Sequence, residues 1–347
     1  ATEPTVTSFG QALAAARAAR PDAVIGVGGG SALDVAKLVA ALHDGEQGVR
    51  EVFGIGLLRG RRTRLLCLPT TAGTGSEVTC WGTVWDGANG AKHSLAHPGL
   101  YPEIALVDPD LMAGKPRELT IQTGLDALSH SLESLWNHNA NPVSMAHAVA
   151  AARGVLSTLP ALAGDLRNPQ LRERMARSAT LAGFAFSNTK TAIAHSLSYP
   201  ITLRHGVPHG IACSFSLPMI IRSVANHGGI CEDGLRSIFG ADAAGAAERL
   251  ETTLDKLGVH ATWNGIGRTS DEALAREGVG PHAYGWWVVA AAVLALVAGL
   301  LLLGSASLAR RAVPVLWVAT VGVLASLAVP ITALVNPDWL IGDFFHE

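Results

Sequence analysis

The chain has 347 residues, a formal net charge of −2 and only 16% charged residues. At roughly 100–200 residues per domain, this length predicts two or three domains with a substantial core. The near-neutral charge argues against a nucleic-acid partner, and the composition excludes collagen-like, disordered and disulfide-framework proteins.

The first forty residues predict a strand between two helices. An alanine-rich helix is expected at 9–19, and a short apolar strand at 23–27. Three glycines follow this strand at 28–30, and helical spacing of apolar residues resumes over 32–42. A strand, a glycine turn and a helix in this order form half of a βαβ unit.

Further along the chain, strands give way to helices. Strands are predicted at 64–68 and 104–107. From about residue 115 the pattern predicts helices, at 119–136, 143–158, 169–186, 189–198, 209–226 and 243–257. We therefore expect an α/β domain over 1–113 and an all-helical domain over 114–280, with a cleft between them.

The last part of the chain is far more apolar. Residues 286–303 contain no charged side chain, and 315–335 contain only three polar ones. Both stretches approach the roughly 20 residues that span a bilayer, and Arg310 and Arg311 lie between them. We expect a two-helix transmembrane hairpin over 285–335, with two buried core helices as the alternative.

The four cysteines, Cys67, Cys80, Cys213 and Cys231, show no Cys-x-x-Cys spacing. A zinc knuckle or a redox pair is therefore not expected. Unpaired thiols fit a reducing compartment, and their predicted role is that of small buried apolar side chains.

Two small-residue loops follow predicted strands. The loop at 28–31 could hold a phosphate against the next helix, or it could be a structural turn. Ser31 would cap that helix, with Asp34 completing the cap. The loop at 70–77 carries hydroxyls and amides that suit a nucleotide, although alone it would be a polar turn.

A carboxylate and three imidazoles form a third group of candidate residues. Asp126 and His130 lie four residues apart, on one face of a predicted helix. His195 and His209 follow downstream, and the four side chains make a complete ligand set for a divalent ion. Surface or hydrogen-bonded histidines are the alternative, and spacing alone leaves both readings open.

These motifs together match a known pattern. They are Gly-Gly-Gly-Ser-Ala-Leu-Asp-Val-Ala-Lys at 28–37, Thr-Thr-Ala-Gly-Thr-Gly-Ser-Glu at 70–77, Gly-Leu-Asp-Ala-Leu-Ser-His at 124–130, and the histidines at 195 and 209. In order and interval they resemble the iron-dependent (group III) alcohol dehydrogenases, over roughly residues 5–275. Residues 189–202 look most like the phosphonoacetaldehyde reductase branch.

The resemblance implies a Rossmann-like nucleotide-binding domain followed by an all-helical metal-binding domain, in the dehydroquinate synthase-like fold. It implies a catalytic metal, iron(II) with zinc as an alternative, held by Asp126, His130, His195 and His209. It implies that NADH or NADPH binds at Gly29, Gly30, Ser31, Asp34, Thr70, Thr71, Thr74 and Lys92. The metal would polarise an aldehyde oxygen while the nicotinamide delivers hydride to the carbon.

Departures from the family pattern leave several roles open. Tyr199 stands where many members have a further histidine, so its phenol would either relay a proton or only pack. His205 is another relay candidate. Lys190 and Arg204 would hold a phosphonate group, or they are solvated surface charges. The family's first βαβ segment is expected to be missing, which leaves NADH and NADPH undistinguished, and the apolar hairpin is expected to replace the end of the helical domain.

Three functions follow from these patterns. The first is a metal-dependent reductase of a small aldehyde, with the reduction of phosphonoacetaldehyde to 2-hydroxyethylphosphonate as one option. The second is a non-catalytic, truncated or chimeric protein tethered to a membrane. The third keeps the fold with the chemistry of dehydroquinate synthase-like or glycerol dehydrogenase-like relatives. We expect the catalytic body in the cytoplasm, because no apolar leader opens the sequence, and a homodimer is one assembly considered.

Overall fold

In a computed structural model of the protein, the described residues are 4–86, 91–224, 228–240 and 242–259. They belong to one compact unit, residues 1–265. No helix in the described part of the chain is long and apolar enough to cross a bilayer. The transmembrane hairpin expected at 285–335 lies outside the described residues and stays a prediction.

The first part of the chain alternates helices and strands. Its elements are α1 (Val6–Ala19), β1 (Ala23–Gly28), α2 (Gly30–Leu42), β2 (Gly54–Ile55), β3 (Arg64–Pro69), β4 (Trp81–Asp86), β5 (Ala91–Ala96) and β6 (Ile104–Ala105). The early helices and the strands at 23–27 and 64–68 are confirmed to within three residues. The strand predicted at 104–107 is shorter. The strands β2, β4 and β5 were not predicted, because they are very short or mix polar and apolar residues.

Helix α2 covers one face of a parallel sheet with the order β1-β3-β6, while β2, β5 and β4 form a second sheet. Leu33 and Ala36 of α2 pack against Leu65 and Cys67 of β3. Gly26 allows the helix to approach, because a Cβ there would lie 2.7 Å from the Ala36 Cβ. The expected Rossmann-like arrangement is thus present in this part of the chain.

The opposite face of the parallel sheet carries exposed apolar side chains. Ile25 is 61% exposed, and Val27 is 54% exposed, both in β1. Leu106, which follows β6, is also 54% exposed. The pattern along β1 arises because successive side chains of a strand point to opposite faces. One face of the sheet therefore belongs to the core, and the other is a surface.

Parallel pairing brings the two small-residue loops together. Gly28 pairs with Pro69 at the ends of β1 and β3, and the Thr70 amide donates to the Gly28 carbonyl at 2.8 Å. A Cβ on Gly30 would lie 2.5 Å from the Thr74 Cγ2. The loops therefore meet at the carboxyl ends of neighbouring strands, where open α/β sheets bind ligands.

The described chain after residue 116 is helical. Its helices are α3 (Arg117–Trp136), α4 (Pro142–Gly164), α5 (Pro169–Thr189), α6 (Ile193–His205), α7 (His209–Ser214), α8 (Leu217–Val224), α9 (Gly229–Phe239) and α10 (Ala243–Leu257). The helix predicted at 143–158 continues through Pro160. The one predicted at 209–226 is two helices, since Pro218 fits the first turn of a new helix better than a helix interior. Helix α9 was not predicted.

Helix α3 lies inside the helical bundle, and every residue from Gly124 to Trp136 is buried. Its serine hydroxyls are satisfied within the helix, because Ser129, Ser131 and Ser134 each donate to the carbonyl four residues earlier. The acidic side chains and the histidine of this buried stretch need partners from other helices. Two of these side chains, Asp126 and Glu133, contact His195 of α6.

Candidate metal and cofactor cleft

The helices α3, α6 and α7 and the two small-residue loops line one cleft with a volume of about 890 Å³. The predicted site residues on its surface are Gly29, Gly30, Ser31, Asp34, Thr71, Thr74, Lys92, Asp126, His130, Lys190, His195, Tyr199 and His209. Thr70 and His205 are not among the described residues that line the cleft. For Arg204, the structure describes only its place in α6. We call α3, α6 and α7 the helical wall, and the loops at 28–31 and 70–77 the loop wall.

The helical wall brings the carboxylate and the three imidazoles together. His195 Nε2 lies 3.4 Å from Asp126 Oδ1, and His130 Nε2 lies 3.9 Å from the same oxygen. The His130 and His195 rings stack with centroids 4.5 Å apart, and His209 meets His195 edge to face at 5.4 Å. Helix α7 reaches this position because Gly210 has no side chain, since a Cβ there would overlap the Gln122 carbonyl oxygen.

Three polar atoms of this cluster are buried but make no hydrogen bond within the described structure. Asp126 Oδ1, His195 Nε2 and His130 Nδ1 have no hydrogen-bond partner among the described residues. A buried polar atom without a partner costs about 1–3 kcal/mol, and more when it is charged. A divalent cation would satisfy the open oxygen and nitrogen, so the residues fit a metal of the kind that carboxylate and imidazole ligands hold.

Glu133 orients His195. Its Oε2 lies 2.5 Å from His195 Nδ1, and its Oε1 accepts the amide hydrogens of Ala194 and His195 at 2.6 and 3.2 Å. The Nδ1 proton of His195 therefore points at a carboxylate, which turns Nε2 towards Asp126. Such a carboxylate behind a ligand histidine is typical of metal sites.

Ser198 has the same role for His209. Its hydroxyl donates to the His195 carbonyl at 2.7 Å, because a carbonyl can only accept. The same Ser198 oxygen lies 3.2 Å from His209 Nδ1. With the hydroxyl hydrogen already used, Nδ1 of His209 must be the donor, which leaves its Nε2 as an acceptor.

The pKa values of the cluster favour an ionised Asp126 carboxylate beside neutral rings at His130 and His209. Burial would raise the pKa of Asp126, but the three nearby histidines hold it well below its usual range. Burial lowers the pKa of His130 to about 4, and burial together with Lys92 lowers that of His209 to about 3. Burial acts against a charge on His195, but Cys213 and Glu133 outweigh it and raise its pKa. A metal binding at His195 Nε2 would displace that proton.

Tyr199 and Lys92 lie beside the ligands. The Lys92 Nζ is 3.8 Å from the centre of the Tyr199 ring and 5.3 Å from that of Trp85. The Tyr199 ring in turn stacks on His209, at 5.9 Å. Lys190, at the end of α5, has a φ of 87°, an uncommon conformation for a residue with a side chain. Both ammonium groups belong to residues on the cleft surface.

The loop wall works through its backbone. Helix α2 begins at Gly30 with Gly29 as its N-cap, and no described side chain caps it, so the expected cap by Ser31 and Asp34 is wrong. Asp34 instead accepts from the Ser76 hydroxyl at 2.7 Å and from the Thr83 amide at 3.0 Å. It therefore ties α2 to the second loop and to β4, and the first amides of α2 remain available to a ligand.

Sequence reasoning missed three residues of the site: Glu133, Ser198 and Cys213. Glu133 follows His130 by three residues, on the face of α3 that carries the ligands. Cys213 follows His209 by four, and its Sγ lies 3.7 Å from His209 Nε2. Ser198 follows His195 by three, so helical spacing from the candidate residues was a signal for all three. The partner that each residue contacts depends on how the helices meet, which spacing does not give.

Comparison with known proteins supports the assignment. A family model described as iron-containing alcohol dehydrogenase matches residues 1–109. A second, described as the C-terminal part of the Fe-containing alcohol dehydrogenase family, matches residues 120–279. A solved structure of sulfoacetaldehyde reductase from Bifidobacterium kashiwanohense in complex with NAD+ is 31% identical, with a TM-score of 0.72, and the match covers 82% of this chain and 77% of that one.

Two curated relatives add detail. Long-chain-alcohol dehydrogenase 1 of Geobacillus thermodenitrificans is 39% identical over 211 residues, which are 60% of this chain and 53% of the relative. Phosphonoacetaldehyde reductase of Streptomyces viridochromogenes is 35% identical over 204 residues, which are 57% of this chain and 52% of the relative. The chain thus spans about half the length of the curated relatives it matches.

Proposed function

The chain belongs to the iron-containing alcohol dehydrogenase family, and from that premise we propose that it is a metal-dependent, NAD(P)H-linked reductase of small aldehydes. The observation that carries the proposal is the buried approach of Asp126 Oδ1 to His195 Nε2, both open to a cation. This cluster favours an enzyme over a non-catalytic membrane-tethered protein, because a tether gains nothing from unsatisfied buried ligands.

The proposed metal, iron(II) by family with zinc as the alternative, is held by Asp126, His130, His195 and His209. When bound, it supplies Lewis acidity to the aldehyde oxygen, while the nicotinamide supplies the hydride. Glu133 and Ser198 hold the rings of His195 and His209 through Nδ1, so both Nε2 atoms are in place before the metal arrives. Preorganised ligands lower the cost of binding.

The cofactor is proposed to lie along the loop wall. Residues Gly29, Gly30, Ser31, Thr71 and Thr74 line the same cleft as the metal ligands. The uncapped amides at the start of α2 suit a pyrophosphate, and the absent side chains of the glycines allow it to come close. The related sulfoacetaldehyde reductase that binds NAD+ supports a dinucleotide here. Thr70, with its amide bonded to Gly28, stays a predicted contact.

The finer proposal is an aldehyde that carries an acidic group, such as phosphonoacetaldehyde. Lys190, the predicted phosphonate contact, lies on the cleft surface, and a phosphonate or sulfonate beside it would gain charge-assisted hydrogen bonds. Lys92, the predicted cofactor contact, adds a second positive charge to the same surface. The names of two relatives, phosphonoacetaldehyde reductase and sulfoacetaldehyde reductase, support the same class. Arg204 remains a further candidate.

Tyr199 is the proposed proton source for the new hydroxyl group. Its ring lies between the Lys92 ammonium and the His209 ring, next to the ligands. Packing without proton transfer is the alternative reading. His205, in the last turn of α6, is retained as a second relay candidate.

The organisation of the chain is part of the proposal. The change from strands to helices between β6 and α3 supports a nucleotide-binding domain over 1–113 and a metal-binding domain over 114–280. A homodimer, a cytoplasmic catalytic body and a membrane anchor at 285–335 stay predictions.

The test is an assay of the full chain, stripped of metal and reloaded with Fe(II) or Zn(II). We expect oxidation of NADH or NADPH with propanal, phosphonoacetaldehyde or sulfoacetaldehyde, abolished in His209→Ala. The control His147→Ala, in α4 and not among the described residues that line the cleft, should keep its activity. Equal turnover by the metal-free chain would contradict the proposal.

The same assay tests the substrate class. If the acidic group binds at Lys190, Lys190→Ala should raise the KM for phosphonoacetaldehyde much more than the KM for propanal. An equal change for both substrates would reduce the proposal to small aldehydes in general.

A further inference from the structure

We propose that Cys213, in place of His130, is the fourth ligand of the metal, an inference that rests on the metal site proposed above and changes its donor set. Asp126, His195, His209 and Cys213 each offer one ligand atom, and these four atoms all lie within 4.8 Å of one another. Cys213 and His209 share a face of α7 at a spacing of four residues.

Two separations between the donors match the edges of a tetrahedral centre. With metal–nitrogen and metal–oxygen bonds near 2.0–2.1 Å and a metal–sulfur bond near 2.3 Å, tetrahedral edges measure about 3.3 Å between nitrogen and oxygen and about 3.6 Å between nitrogen and sulfur. The observed separations are 3.4 Å for His195 Nε2 to Asp126 Oδ1 and 3.7 Å for His209 Nε2 to Cys213 Sγ. These two pairs thus stand at coordination spacing. Because Cys213 Sγ also lies 3.8 Å from His209 Nδ1, the thiol would have to turn towards Nε2 as the metal binds.

The unpartnered atoms around Cys213 set this thiol apart from a buried filler. Asp126 Oδ1 and His195 Nε2, in the same group, are buried without hydrogen-bond partners among the described residues. Cys67 has the surroundings of a filler, because it packs with Leu33, Ala36 and other apolar side chains under α2. Cys213 instead faces unsatisfied nitrogen and oxygen atoms.

Coordination by sulfur has a chemical consequence. The thiol releases its proton to solvent as the sulfur–metal bond forms, and nothing is oxidised or reduced. A thiolate is a softer ligand than a carboxylate or an imidazole and selects zinc over iron. This chain should therefore prefer zinc more strongly than a site built from one carboxylate and three imidazoles.

The experiment measures the metal's neighbours directly. The full chain is stripped of metal and reloaded with Zn(II) for X-ray absorption or with Co(II) for electronic spectra. We expect a sulfur shell at about 2.3 Å around zinc and a sulfur-to-cobalt charge-transfer band in the near ultraviolet. Cys213→Ala should lose both signals, whereas Cys231→Ala, which removes a thiol from α9, should keep them.

The outcomes separate this inference from the proposed function. A wild-type zinc shell of nitrogen and oxygen only, together with metal-dependent activity, would overturn the sulfur ligand and leave the reductase standing. A wild-type chain that binds no metal would overturn both. If Cys213→Ala does not fold, the wild-type and Cys231→Ala spectra still decide. The affinity for zinc should fall in Cys213→Ser by at least about 10-fold, since removal of a residue that only supports a ligand already costs that much. The affinity for iron should fall less, because the thiolate favours zinc.

Discussion

The two walls of the cleft use opposite strategies. The helical wall presents side chains whose rings and carboxylates are buried and held by neighbours, as Glu133 holds His195. The loop wall presents backbone atoms. Its glycines are needed because a side chain would not fit, as a Cβ on Gly30 would lie too close to Thr74. A ligand motif therefore predicts which residues of the helical wall bind. A glycine motif predicts only that the backbone of the loop wall can come close to a ligand.

Two glutamates show the same contrast between the halves of the molecule. Glu133, in the helical wall, is 0% exposed, while Glu103, beside β6, is 49% exposed. Each accepts hydrogen bonds from a backbone amide and from a charged or polar side chain. Burial makes the first indispensable to its neighbours, whereas water can replace much of what the second does. Substitutions in both halves of the molecule test this difference.

The largest effect is expected from Gly210→Ala. The added Cβ would overlap the Gln122 carbonyl oxygen, a backbone atom that can only yield if α7 and α3 separate. We expect a loss of about 2–3 kcal/mol in the free energy of unfolding and a loss of bound metal. Denaturant melts and metal analysis measure both.

The matched control for this substitution is Gly10→Ala in α1. A Cβ at Gly10 meets no described atom within 4 Å, so the change should stabilise the chain by about 0.5–1 kcal/mol. If Gly210→Ala behaves like this control and keeps its metal, the close approach of α7 to α3 is not what positions His209.

Glu133→Gln should give the next largest effect, on metal affinity rather than on the fold. The amide side chain can still accept from the Ala194 amide, but it carries no charge to hold the His195 ring. We expect metal affinity to fall by about 10–100-fold, measured by competition with a chelator. Glu118→Gln, in the exposed first turn of the same helix, should leave the affinity unchanged.

A third pair tests the loop wall, where the expected helix cap was wrong. Asn141 caps α4 by accepting the amides of Val143 and Ser144, so Asn141→Ala should cost about 1 kcal/mol of stability. Ser31 caps nothing that the described structure shows, so Ser31→Ala should leave stability nearly unchanged. An equal loss in both variants would mean that Ser31 supports α2 after all.

The sequence predicted the ligands of the helical wall better than the residues that hold them. The family motifs predicted a cluster of Asp126, His130, His195 and His209, and the structure brings these side chains together. Helical spacing accounts only for the shared face of Asp126 and His130, whereas His195 and His209 come from α6 and α7. The residues that contact the ligands were harder to predict from the sequence. Glu133 and Cys213 were within reach of helical spacing, but their role depends on how α3, α6 and α7 pack, which no local pattern contains.

The strands of the fold were also only partly predictable from the sequence. Strands β1 and β3 were predicted because both are continuous apolar runs, as expected for a parallel sheet. Strands β4 and β5 were missed, since they pair with each other as an antiparallel ribbon of mixed composition. The cap at α2 was predicted from residue types, yet the carboxylate of Asp34 is taken by Ser76 and Thr83, over forty residues away. Distant partners overrode the local preference.

The smallest effect is expected at Glu103, through its dependence on pH. Partial burial works against its charge, but hydrogen bonds from Arg61 and the Leu65 amide outweigh it and lower its pKa. A carboxyl group whose pKa is lower in the folded chain stabilises the fold at pH above the ordinary value of about 4.3, and loses that contribution as the pH falls through the folded value. Because the group is half exposed, the contribution at neutral pH should stay below about 1 kcal/mol. Glu103→Gln should therefore melt slightly lower than wild type at pH 7, and the two curves should converge in acid. A gap that stays constant down to pH 3 would assign the effect to the hydrogen bonds alone, and the charge of this glutamate would then contribute nothing.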